Sequence, residues 1–571
     1  MSWSQISTAI NTLLEFKEKA EKWAAWRKIA QWLSFSIFSI FLIIHLAVRF
    51  FIWPQVEGHK TYFEQAISQN VGAVVKIGEI KTSWSALWPS FTIKNISITD
   101  KSSSQKELLH IPEVSGRLAW ESIWHLKPYF HNLNFENATI EVKRDQEGNW
   151  DVAGIKLLKN SAGYTFGNWL FDQDNVNVTN AKIVWLDQLK QSSSYAITIN
   201  SLQLNNSWLT HQIKLSEDSP WHEKTATIQA NFKHNLLGNA GNWEDWSGKL
   251  EWHVEGIDLK KVSQVFDSPI KIIDGQISIV GNTYLNNGIL DGGETTLLGQ
   301  NLHFDWERFN KPLKIQSIES RLEQSTQGST MTLNAPLLKW RANNQSTPQE
   351  LNDISLYWKI APNIESVKSV GIKAAHIDIE LFEQLAKQFP LPKDLNEFIR
   401  QYQAAGELED VDASWNAETH KLPFDIQIPG FNQSHYNLSL KFDHLFLTPF
   451  NKGELAVANI KGNLNASEIG GEVKLNSSSS VITLPKMLEN DVLELNQANG
   501  SIKWKKEDGA WAYELNGVHL DNADASVNFD AAYRPKHGNS LEKIKIKGDI
   551  KRAKLQNITR YFPIALSLIH I

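Results

Sequence analysis

The stretch FTIKNISIT, Phe91 to Thr99, decides the fold. Phe91 and Ile93, then Ile96 and Ile98, alternate with polar residues, the pattern of a strand with one apolar and one polar face. The pattern recurs along the chain. Ile197 and Ile199 carry it in AITIN, Leu202 and Leu204 in SLQLN, and Leu250, Trp252 and Val254 in KLEWHVEG. Ile277 and Ile279 repeat it in GQISIVG, Leu438, Leu440 and Phe442 in YNLSLKFDH, and Ile544 and Ile546 among Lys543, Lys545 and Lys547. Clusters of Asn, Gly, Asp and Ser separate these runs, as antiparallel hairpins require. No region alternates strands regularly with long helices, which argues against a doubly wound α/β enzyme. The predicted fold is mainly β, with about 25–35 strands at ordinary strand and turn lengths.

Helices are few. Tyr62, Phe63, Ala66 and Ile67 predict a short one ending near Gly72. Two more are expected, at 381–388 and from Asp394 to Gln403, where Asp394 can cap and Leu395, Phe398, Ile399 and Tyr402 share a face. A faint repeat relates NFENATIEV (134–142) to NVTNAKIVW (177–185), matching Asn134 with Asn177, Asn137 with Asn180, Ala138 with Ala181 and Ile140 with Ile183. Fixed-period self-similarity is a mark of stacked repeats.

The 571 residues include no cysteine, which excludes a disulfide scaffold, a thiolate metal site and a cysteine nucleophile. A net charge of −6 excludes a strongly basic nucleic-acid binder. Residues Trp32 to Val48, WLSFSIFSIFLIIHLAV, carry no formal charge, and the run extends over 29–53 with only Arg49 charged. A helix of this length crosses a bilayer. Trp32, Phe35, Phe38, Phe41, Leu42, Ile43, Leu46 and Trp53 are the expected membrane-facing residues. Lys17, Lys19, Lys22, Arg27 and Lys28 precede the run, so residues 1–28 are expected in the cytoplasm and 54–571 across the membrane. A cleaved signal is disfavoured, because the run is long and ends in Arg49-Phe50-Phe51-Ile52-Trp53-Pro54 without small residues. His45 is read as tolerated near the interface.

Strands with one apolar face must stack as a sandwich, close as a barrel, or curl into an open-sided groove. The residues alone leave these open. An open groove would expose apolar surface on a scale that marks a binding site.

No phosphate-binding loop, dinucleotide fingerprint, zinc-protease helix motif or nucleophile elbow occurs. His376, Asp378 and Glu380 alternate in HIDIE and could hold a metal; a polar outer strand face is the preferred reading. The Lys-rich stretch IKIKGDIKRAK (544–554) reads as an outer face guarding a sheet edge. Asn177-Val178-Thr179 fits a glycosylation sequon. Trp84, Trp88, Trp120, Trp124, Trp150, Trp169 and Trp185 could line a trough or cap its membrane end. No cofactor, metal or catalytic residue is expected.

Four segments carry a family likeness: VGAVVKIGEIKTSWSALWPSFTIKNISITD (71–100), AAHIDIELFEQLAKQFPLPKDLNEFIRQYQAAGELEDVDASW (374–415), VANIKGNLNASEIGGEVKLNS (457–477) and ANGSIKWKKEDGAWAYELNGVHLDNADA (498–525). With the anchor and short helix before them, they resemble the AsmA-like family and, within it, its YhdP-type envelope proteins. The resemblance implies an inner-membrane anchor, an elongated periplasmic body of repeating β-groove units, and bridge-like phospholipid transfer supporting the outer-membrane permeability barrier. It implies phospholipid and the inner membrane as partners, with outer-membrane or envelope proteins beyond them, and no nucleic acid. Relatives of this type are about twice as long, so the C-terminus is expected to be truncated after Tyr561-Phe562-Pro563. On this reading the groove liners are Ile93, Ile98, Ile140, Ile183, Ile199, Leu204, Ile279, Leu440 and Ile546. The competing readings are a scaffold for outer-membrane protein assembly, pairing client strands at a sheet edge, and an enzyme acting on envelope polysaccharide, which would need a convergent carboxylate pair.

Overall fold

The computed structural model describes residues 3–71, 74–99, 107–122, 127–146, 150–152, 155–157, 162–188, 194–236, 238–265, 271–305, 312–342, 347–360, 367–381, 397, 400–421, 427–451, 453–488, 490–507, 509–536 and 542–561. The fold is mainly β, with curved antiparallel sheet as predicted. Contacts divide the chain into two units, 1–188 with 194–215, and 189–193 with 216–571.

The first unit opens with the helix Trp3–Ala47, a π-helical turn Val48–Ile52, a 3-10 turn Trp53–His59 and the helix Lys60–Val71. Trp32, Phe35, Phe38, Phe41, Leu42, Ile43 and Leu46 are all exposed, and this helix is long and apolar enough to cross a membrane. Trp53 is half-buried and donates its indole N–H to the Ser90 carbonyl at 3.0 Å. The strand Val74–Ser85 then pairs with Trp88–Thr99 around Ala86 and Leu87. An edge strand exposes unpaired backbone groups, and here helical side chains take them up. Ser68 Oγ accepts from Val75 N at 2.9 Å, Glu64 Oε1 from Ile77 N at 2.7 Å and Glu57 Oε1 from Thr82 N at 2.6 Å, while Lys60 Nζ donates to Gly78 O at 3.0 Å.

The 43-residue repeat is a pair of neighbouring strands. Phe130–Glu136 and Thr139–Arg144 lie parallel to Asn175–Asp187, with Asn134 opposite Asn177 and Ile140 opposite Ile183. These parallel pairs are a local exception to the antiparallel rule, and the helix Ala162–Phe171 supplies the crossover that parallel pairing needs. Side chains 43 apart also bond: Asn177 Nδ2 donates to Asn134 Oδ1 at 3.0 Å, and Arg144 Nε to Asp187 Oδ1 at 3.0 Å, a fully buried ion pair.

The slipped phase in FTIKNISIT has a backbone cause. Asn95 has φ +53°, the left-handed region that Asn tolerates better than most residues. Such a residue bends a strand and advances its alternation by one. Apolar residues on both sides of the break therefore keep to one face: Ile93 and Ile96 here, Phe135 and Ala138 around Asn137 (φ +55°), Val178 and Ala181 around Asn180 (φ +53°). The pairings align these breaks. Asn95 falls opposite Pro112, Pro112 opposite Asn137, Asn137 beside Asn180, and Asn180 opposite Asn200. A crease thus crosses the sheet, and the two arms of each strand turn their apolar sides toward one core. That core holds Ile111, Val114, Leu133, Ala138, Val176, Ala181, Ile199 and Leu204.

The second unit repeats the device in an antiparallel meander from Ala226–His234 to Lys543–Ala553. Its breaks lie at Gly275 and Asn301, at Asp353 opposite Pro336, at Asp410, at Gly406 against His444, at Asn459 and Ser479, and at Gly500 and Gly517. The expected helix 394–403 is corrected at its end. Glu397, Arg400 and Gln401 are helical, but Tyr402 and Gln403 begin the strand Tyr402–Lys421, where they pair with Pro449 and Thr448. The rest of that helix, and all but Leu381 of the one expected at 381–388, lies outside the described residues.

Candidate functional site: the apolar inner face

In the second unit, one row of cross-strand partners runs through eleven successive strands: Leu333, Leu356, Ile372, Ala413, Leu438, Ala466, Gly471, Trp504, Tyr513, Tyr533 and Ile544. A second row joins Leu440, Leu464, Val473, Ile502, Leu515, Ala531 and Ile546. A third joins Val254, Ile279, Leu297, Ser320, Leu338 and Leu351. None of these rows contains a charge.

The charges stand one residue away, on the other face. Arg321 bonds Glu294 at 2.7 Å, Lys339 bonds Glu350 at 3.1 Å, Lys441 bonds Asp410 at 2.6 Å and Arg552 bonds Asp521 at 2.9 Å. Lys461 contacts Asp443, whose carboxyl is held below its usual range chiefly by that hydrogen bond. Tyr357 lies flat over Gly371 on this outer face, where a Cβ would meet the ring at 2.3 Å. Burial first, and its 2.6 Å bond to Asp412 second, push the phenol up to about 12. Such pairs keep the outer face wet and contribute little stability singly.

The inner face is unevenly filled. Leu440, Phe442 and Ile460 form a packed cluster, as do Trp340, Ala342 and Leu351. By contrast Leu356 is 37% exposed, Ile372 41% and Tyr513 41%. Apolar side chains at inner positions, open to solvent and continuous across strands, can take up apolar chains by the hydrophobic effect.

Three of the nine expected liners, Ile279, Leu440 and Ile546, belong to these uncharged rows. The other six lie in the first unit, where Ile98, Ile199 and Leu204 are buried in the unit's own core and Ile93, Ile140 and Ile183 are half-buried. Among the expected metal ligands, Asp378 Oδ1 instead accepts the backbone N–H of Glu380 at 2.8 Å, as a helix cap. His376 converges with Glu407 and Glu409 from the neighbouring strand, all three exposed on the outer face. Of the tryptophans, Trp84 and Trp120 pack beside the anchor, Trp88 meets His131 edge-on at 4.1 Å, Trp169 packs on the core and Trp185 is buried. Trp124 lies outside the described residues.

His45 is not merely tolerated. It is 5% exposed, its ring 5.0 Å from Trp84 and 5.6 Å from Trp120, with Phe41 stacked at 6.2 Å. The end of this apolar helix is therefore packed onto the sheet by an aromatic cluster. Sequence reading missed this, and it missed the crease, whose signal was the three-residue gap between apolar pairs around Asn95, Asn180 and Pro112.

No curated protein matches the chain. The family model described as YhdP protein matches residues 21–567, nearly the full length, and the protein belongs to that family of cell-envelope proteins.

Proposed function

We propose that the protein is anchored in the bacterial inner membrane with its body in the periplasm, and that it moves phospholipid along the apolar face toward the outer membrane, maintaining the permeability barrier. The observation that carries this reading is the uncharged row from Leu333 to Ile544, backed strand by strand by an outer face of ion pairs. Each CH₂ taken out of water contributes about 0.8 kcal/mol, so two acyl chains are held firmly against escape. Rows without a charged residue give them no strong stopping point, and they slide. The YhdP family is not a known enzyme family, in keeping with transport rather than chemistry.

The test is lipid content. Protein purified by mild extraction is stripped of detergent and its lipids are counted by mass spectrometry. Ile372→Asp puts a carboxylate on the exposed part of the inner row and is expected to lower bound phospholipid several-fold. Lys359→Asp, on the outer face beside Trp358, is expected to change nothing. Lipid-free wild-type protein, or equal retention by both variants, sinks the proposal. A deletion that impairs outer-membrane protein insertion while lipid distribution stays normal favours the assembly scaffold instead.

A further inference from the structure

Arg49 is the lone charge in the run 29–53, and its position is built rather than incidental. Its guanidinium carbon lies 5.3 Å from the centroid of Trp84 and 5.9 Å from that of Phe50. Trp84 is held in turn by His45, at 5.0 Å, and by Trp120, at 6.5 Å. Among the described residues Arg49 has no carboxylate partner and no hydrogen-bond acceptor. A guanidinium held by its face against an aromatic ring keeps its N–H edge free, and that edge matches two oxygens of a phosphate. Arg49 also sits four residues before Trp53, about 6 Å at helical rise, where interfacial aromatic residues mark the headgroup layer.

We propose that Arg49, seated on Trp84, binds the phosphate of a phospholipid headgroup at the membrane end of the first unit, and so selects phosphate-bearing lipid for loading. Arg49 grips the phosphate; Trp84 and His45 are positioning residues that fix the guanidinium. This inference rests on the lipid-transfer reading. The plain alternative is an arginine snorkelling to the interface, which needs no particular headgroup and tolerates lysine.

The experiment uses the full chain in a non-ionic, phosphate-free detergent. Anisotropy titrations compare an acyl-labelled phosphatidylglycerol with the matching acyl-labelled diacylglycerol. Arg49→Gln is expected to weaken phosphatidylglycerol about tenfold, the scale of one lost charge-assisted contact, and to leave diacylglycerol within about twofold. Arg49→Lys restores only part, since a point charge lacks the fork. Trp84→Leu, which removes the platform, shifts phosphatidylglycerol in the same direction. Equal losses for the two lipids, no loss for either, full rescue by lysine, or a wild type that does not bind phosphatidylglycerol overturns the inference. Inorganic phosphate tests the other source: displacement of the labelled lipid by millimolar phosphate assigns the site to the free ion and overturns the lipid assignment. Ile372→Asp separates the two proposals. If it weakens both probes while Arg49→Gln discriminates neither, Arg49 alone is wrong; if it weakens neither while Arg49→Gln discriminates, the groove reading alone is wrong.

Discussion

Asn180 shows how one backbone angle serves the fold. Its φ of +53° lets Val178 and Ala181 face the same core although they are three residues apart. A β-branched residue there meets its own carbonyl, at a cost of about 1–2 kcal/mol, whereas glycine adopts the angle without strain. Asn180→Val is therefore expected to lower the denaturation midpoint of the full chain, and Asn180→Gly to change it far less. Equal effects would mean that the asparagine side chain, not the angle, is what matters. The alternation of AITIN and SLQLN was legible from residue types alone. The left-handed angle at Asn180, in the neighbouring strand, was not, because Asn also occurs in ordinary turns.

Parallel neighbours in an otherwise antiparallel sheet are tied at the level of the element. Arg144 and Asp187 end their strands side by side, and both side chains are sealed from water. Removing one partner takes the opposite charge from a buried ion, typically costing about 3–5 kcal/mol. Arg144→Ala should therefore destabilise strongly. The double change Arg144→Met with Asp187→Leu should recover much of the loss, since apolar replacements of similar volume are often neutral. Thermal unfolding of the three proteins decides it; a double variant as unstable as the single one would show that the pair does more than satisfy itself. The repeat of Asn134 on Asn177 pointed to structural repetition, but not to direct pairing. Pairing across 43 residues requires the crossover helix Ala162–Phe171, whose path depends on what it packs against.

At the scale of the whole molecule the governing feature is the separation of two faces over many strands. Leu440 and Lys441 are neighbours in sequence and belong to opposite worlds. Leu440→Ala opens a gap in the cluster with Phe442 and Ile460 and is expected to cost about 2–5 kcal/mol. Lys441→Gln, which breaks an exposed pair with Asp410, is expected to leave the denaturation midpoint where it was. Comparable losses for both would mean that the outer face, not the inner, holds the sheet together. The same segregation holds two kinds of inner residue: packed ones such as Phe442 hold strands together, while open ones such as Ile372 are those the proposed transfer would use.

Periodicity by itself determined the β class, the helix long and apolar enough to cross a membrane and the segregation of apolar from charged positions, because each depends on residues a few places apart. The short helix Lys60–Val71 and the turn at Ala86-Leu87 follow from the same local rules. Tertiary structure decided which inner positions are plugged and which stay open. It buried Ile98, Ile199 and Leu204 in the first unit and left Ile372 open in the second, though all four stand on apolar strand faces. The reason is physical. Alternation sets a side chain's face, but filling depends on how far each strand bends at its crease and on which neighbours that bend brings within van der Waals reach. Those distances are set by residues far apart in the chain.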